Sequence, residues 1–205
     1  MGWFSRKKNE KNTTVEETAQ QEPTHVNGPC DASEIADPED LLDAGALLIP
    51  AVPGAQLQLT LNEDHTAVVG VVYVIDGSAL QLQAFAAPKS HGIWDEVRLD
   101  MRTSIAQQGG SSVEVDGVFG KELHAQMPVE GGTAPHRFLG IDGHRWLLRA
   151  TLYGRAGADD AAAEYILQIL DRVAVRRGAE PHPPRELLTL QIPPQIQENL
   201  QAVEG

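Results

Sequence analysis

The stretch Arg137-Phe138-Leu139-Gly140-Ile141-Asp142-Gly143-His144-Arg145-Trp146-Leu147-Leu148-Arg149-Ala150-Thr151-Leu152 decides the fold class. Trp146, Leu148, Ala150 and Leu152 alternate with Arg145, Leu147, Arg149 and Thr151, so one face of a strand is apolar throughout. Arg137 to Ile141 lead into it through Asp142-Gly143, a pair that favours a tight reversal because both residues accept positive φ. Two alternating runs joined so tightly must lie antiparallel.

The same device stands at Asp76-Gly77 and Asp116-Gly117. Ahead of the first, Leu57, Leu59 and Leu61 alternate with Gln58 and Thr60, the pattern of a half-buried strand. Residues 67–75 are apolar on both faces and read as a central strand covered on both sides. After the turn, Leu80, Leu82, Ala84 and Ala86 share one face. The period then changes: Trp94, Val97, Met101 and Ile105 recur at helical spacing until Gly109-Gly110. Strands are predicted again over 112–115 and 122–129. A second helix is predicted over about 159–175, capped by Asp159 or Asp160, with Arg176 and Arg177 complementing its C-terminal dipole. Leu188, Leu190 and Ile192 suggest a short edge strand. The fold class expected is α+β: a mainly antiparallel sheet built from hairpins, with two helices packed on it in two layers. The halves share an order that admits a ββββα duplication, but no residue-level repeat accompanies it.

The chain has 205 residues, 41% of them hydrophobic and only 5% aromatic, which suits one domain with a core of Leu, Val, Ile and Ala. That domain is expected over 45–193. A disordered leader is expected over 1–44, basic and then acidic, and a flexible tail over 194–205. Between Asn12 and Asp43 there is no Lys or Arg. The lone Cys30 cannot form an intramolecular disulfide and sits beside Asp31, which disfavours a reactive thiolate and suits a reducing cytoplasm. A net charge of −13 argues against sequence-independent binding of nucleic acid. No apolar run approaches the roughly 20 residues of a membrane helix.

No G-x-S-x-G elbow, P-loop or G-x-G-x-x-G is present, so no catalytic residue, cofactor or metal is assigned. His136, Asp142 and His144 flank the third reversal and could in principle meet; turn chemistry already accounts for Asp142. Arg145 and Arg149 are about 13 Å apart on one strand face, too far to grip one carboxylate but placed to flank an extended anion, with Arg137 nearby. Trp146 and Trp94 complete the candidate binding residues. Trp3, Phe4, Arg6, Lys7 and Lys8 form an aromatic-basic tip suited to a membrane edge or a partner protein. These readings favour a non-catalytic, chaperone-like or other protein-binding module with an unknown protein partner and leave a homodimer open. A hydrolase using Asp142, His136 and His144, with Arg145 and Arg149 on an anionic substrate, is the alternative. A weakly membrane-associated adaptor is another.

Three runs carry a family resemblance: residues 138–149; 84–88 with 92–98; and Arg177-Gly178-Ala179-Glu180-Pro181 with Pro184-Arg185. Together, over about 27–195, they resemble the actinobacterial domain of unknown function family 3710. His144 stands where that family leads one to expect proline, and Cys30 where an aromatic is expected. The resemblance implies a cytoplasmic actinobacterial protein and no particular activity.

Overall fold

The computed structural model describes residues 28–194 and residue 196. Trp3, Phe4, Arg6, Lys7 and Lys8 therefore lie outside the described residues, as does most of the expected leader and tail.

The described residues form two sheets. The larger contains β4 (Gln56–Leu61), β5 (Val68–Ile75), β6 (Ser78–Ala86), β7 (Ser111–Gly117), β8 (Gly120–Val129), β9 (Gly132–Gly143) and β10 (Trp146–Gly154). Its spatial order is β4-β5-β6-β10-β9-β8-β7, every pairing antiparallel. The fold is thus α+β with a mainly antiparallel sheet. Two meanders meet at the β6–β10 seam, which runs from Trp146↔Ala86 to Gly154↔Ser78. Each meander is followed by a helix, and β7 adds an extra edge strand to the second.

Alternation along β10 decides which helix covers which face. Trp146, Leu148, Ala150 and Leu152 join a cluster with Val71, Tyr73, Leu80 and Leu82. Ala163, Ile166, Ile169 and Leu170 of α3 (Asp160–Leu170) close that cluster. Leu147 points the other way, to Ile93 and to Trp94 of α1 (Trp94–Gln107), with Phe85, Val97 and Phe138 alongside. The helices therefore lie on opposite faces, not in one layer as the sequence suggested. A two-sided sheet fits the apolar character of both faces of β5 and of β10.

The smaller sheet was not anticipated. It orders β1 (Cys30–Asp31), β11 (Ala174–Val175), β3 (Leu47–Pro50) and β2 (Leu41–Asp43), with β1 parallel to β11 and the rest antiparallel. Leu47 and Ile49 of β3 are fully buried in the same cluster as α3. Regular structure thus begins ahead of residue 45, where the sequence reading placed it. Strands of two or three residues are too short to show a period, and this stretch's acids mask them.

Three further differences concern turns and ends. Asp76-Gly77 forms the tip expected, with φ of 48° and 73° between Ile75 and Ser78. The other Asp-Gly pairs instead end their strands. Gly117 pairs with Gly120, leaving Val118-Phe119 at the tip, and Gly143 pairs with Trp146, leaving His144-Arg145. Helix α3 stops at Leu170; Asp159 caps it, accepting from Ala161 N at 2.9 Å, and Ala174–Val175 then turn extended. A short α2 (Arg155–Ala158) precedes it. Finally, the segment around Leu188 is no edge strand. Leu188 N donates to Ala84 O and Leu190 N to Val68 O, both at 2.8 Å, so the segment fills the gap where β5 leaves β6.

Candidate functional site

The tip of the β9–β10 hairpin, the end of β1 with the residues after it, and the residues after β11 line an open cleft of about 450 Å³. Its walls include Asp31, Ser33, His144, Arg145, Arg176 and Arg177. Three guanidinium groups on one cleft stand out in a chain of net charge −13.

Their partners differ. Arg176 Nη1 lies 2.9 Å from both oxygens of Asp43, so its charge is matched. Arg177 is 9% exposed, and its Nε and Nη1 donate to main-chain carbonyls, Arg145 O at 3.1 Å and Glu180 O at 3.0 Å. Arg145 makes no side-chain hydrogen bond or ion pair among the described residues, and Arg177 pairs with no carboxylate there. Glu186 is felt by Arg177 but bonds His182 Nδ1 at 3.1 Å. Burial first, and the Arg145 guanidinium second, lower the pKa of Arg177 from the ordinary guanidinium value. Buried arginine is ordinarily paired with an acid; here neither Arg145 nor Arg177 makes an ion pair among the described residues, and Asp31 is the acid in the same cleft.

The backbone adds a second signal. Arg145 has φ +68°, a left-handed conformation that glycine or asparagine adopts at less cost. Its carbonyl accepts from Ala87 N at 2.8 Å as well as from Arg177, which holds the tip against the start of the β6–α1 connection. Elsewhere in the lining, Asp31 accepts from Ser33 N at 3.0 Å, Ser33 Oγ at 2.7 Å and Trp146 Nε1 at 3.2 Å. Burial would raise the Asp31 pKa, but these donors and nearby His144 outweigh it, and the net shift is downward.

The other candidates from the sequence are dispersed. Asp142 serves α1: its Oδ1 accepts from Ile93 N at 2.8 Å and its Oδ2 from Trp94 N at 3.1 Å. It neither makes the turn nor faces His144's cleft. Trp94 packs flat on Gly140, and its Nε1 donates to Lys121 O at 2.7 Å. Trp146 packs on Gly143 and reaches the cleft wall through Asp31. Arg137 Nη2 pairs with Asp160 at 2.6 Å. Arg149 lies on the α1 face, bonded to Gln83 with its guanidinium 5.0 Å from the Phe85 ring centre. His136 stacks between Phe138 and Tyr153. Arg145 and Arg149 do not flank one ligand, because Arg145 belongs to the turn and not to the strand face. Among the described residues no three His, Cys, Asp or Glu side chains gather for a metal, and no helix is long and apolar enough to cross a membrane.

Sequence reasoning missed Arg176, Arg177, Asp31 and Ser33. The arginines were absorbed into a helix end that the chain does not form. The one signal pointing to Arg177 was its place in the Arg177-Gly178-Ala179-Glu180-Pro181 run.

The class defined here is a two-sided antiparallel α+β domain with an arginine-walled cleft at a hairpin tip. The chain belongs to the family described as Protein of unknown function (DUF3710), whose match spans residues 28–199 and so covers the whole domain. Comparison with curated proteins finds no match.

Proposed function

We propose that the domain is a non-catalytic binding module whose ligand presents an anionic group to the cleft at Arg145 and Arg177. The observation that carries this reading is the pair of guanidinium groups that make no ion pair among the described residues, one of them on a left-handed turn residue. Residues held in sparsely populated backbone regions cluster where function needs them. The cleft also falls within the roughly 300–1,000 Å³ range of small-ligand sites. The single cysteine supports a reducing, cytoplasmic setting.

Two indole N–H groups supply a built-in control. Trp146 Nε1 bonds Asp31 in the cleft wall, whereas Trp94 Nε1 bonds Lys121 O on the α1 face. Titration of the full chain with sulfate, followed by amide and indole NMR, is expected to move the Trp146 indole and the 144–146 amides while Trp94 stays in place. An unmoved Trp146 indole at saturating sulfate sinks the reading. Asp142, His136 and His144 lie apart, which gives a hydrolase built on them no common centre. The adaptor reading rests on Trp3, Phe4, Arg6, Lys7 and Lys8. Unchanged liposome co-sedimentation after their deletion counts against it.

A further inference from the structure

We infer that the cleft takes a phosphoryl group, carried by a small soluble polyol monophosphate; this rests on the anion-binding reading above. The inference follows from counting the donors left over. Arg177 gives the N–H of Nε and one N–H of Nη1 to Arg145 O and Glu180 O, which leaves the second N–H of Nη1 and both of Nη2. Among the described residues the Arg145 guanidinium keeps its whole planar fork. A free fork plus the remaining N–H groups of Arg177 suit a group with three terminal oxygens. A carboxylate has about four acceptor sites on two oxygens, whereas the third oxygen of a phosphoryl group lets both guanidiniums be matched more fully.

Asp31 and Ser33, which also line the cleft, select what carries the phosphoryl group. Asp31 is held ionised by three uncharged donors, and Ser33 Oγ spends its proton on Asp31 Oδ1, so both residues present acceptors to the cleft. Acceptors there suit hydroxyl groups. The Asp31 charge repels a second phosphate, which points to a monophosphate over a pyrophosphate.

Calorimetry on the full chain at neutral pH and low salt tests this with ribose 5-phosphate, inorganic phosphate, ribose, succinate and vesicles containing a phosphoinositide. Ribose 5-phosphate is expected to bind about tenfold more tightly than inorganic phosphate, the equivalent of the roughly 1.4 kcal/mol that one added set of hydrogen bonds supplies. Ribose and succinate are expected to bind at least about tenfold more weakly than ribose 5-phosphate. Arg145→Lys keeps the charge and removes the fork, so ribose 5-phosphate affinity should fall about tenfold with the circular dichroism spectrum unchanged. Succinate binding as tightly as phosphate overturns the phosphoryl assignment and leaves the anion cleft standing. Vesicle binding without ribose 5-phosphate binding overturns the soluble-polyol assignment. No binding of any anion, with Arg145→Lys indistinguishable from the parent chain, overturns both readings.

Discussion

Arg145 is the residue at which stability and binding are set against each other. Its left-handed backbone costs about 1–2 kcal/mol for a residue with a Cβ. Its charge also crowds that of Arg177. Arg145→Gly removes both penalties and adds back about 0.4–1 kcal/mol of unfolded-chain entropy. Urea denaturation is therefore expected to show the variant more stable by about 0.5–1 kcal/mol, while the sulfate-induced shift of the Trp146 indole disappears. A destabilised variant contradicts the backbone argument. Asp142 should behave in the opposite way. It caps α1 from a neighbouring strand, so Asp142→Ala is expected to cost about 1–2 kcal/mol and leave anion titrations unchanged. Asp31 supplies a pH dependence. Its folded pKa lies below the ordinary carboxylate value, so its contribution is present above about pH 4 and is lost as pH falls through the lower folded value. Comparing the acid limbs of the parent chain and Asp31→Asn checks this; coincident limbs contradict it.

At the scale of elements, two indole rings lie against glycines. A Cβ on Gly140 would sit 2.1 Å from Trp94 Cδ2, and one on Gly143 would sit 2.1 Å from Trp146 Cε2. Helix α1 can approach the sheet only because β9 is bare at residue 140. Gly140→Ala must displace Trp94, and Trp94 is 5% exposed in a cluster with Leu147 and Ile93. Loss of about 1–3 kcal/mol is expected from such overpacking, read as a lower thermal midpoint with the hydrogen bond from Trp94 to Lys121 O broken. A midpoint unchanged by this substitution would show that α1 is held elsewhere. The strands were legible in the sequence because period-two alternation is strong wherever a strand exceeds about five residues. The turns were less so. Asp-Gly is the best tip by intrinsic preference, but the pairing register leaves the pair two residues ahead of the tip in two of the three hairpins. Arg145 and Val118-Phe119 occupy the tips instead, a choice that local propensity opposes and that the Ala87 N to Arg145 O bond helps to hold.

For the molecule as a whole, the antiparallel α+β class could be read from the chain because hairpins are local. Its second sheet could not. Cys30–Asp31 meets Ala174–Val175 across more than a hundred residues, and a two-residue strand carries no period to announce such a meeting. The cleft was hidden for the same reason: Asp31, Arg145 and Arg177 are drawn from three distant places. A chain beginning at Gly45 deletes Asp31, Ser33 and both β1 and β2. It is expected to retain the large sheet by circular dichroism and to lose the sulfate response; retention of that response places the site elsewhere.

The residues that fill the parting between β5 and β6 have a bearing on assembly. Leu188 and Leu190 are each 3% exposed and are synthesised after every strand they join. The end of the β5–β6 pairing near Val68 and Ala84 is therefore expected to stay open until residues 187–190 have been synthesised. Stalled nascent chains ending at Pro184 should be cut rapidly by protease within β5, and chains extended past Leu190 should resist; equal resistance of the two would mean that this end closes without its late-arriving wedge.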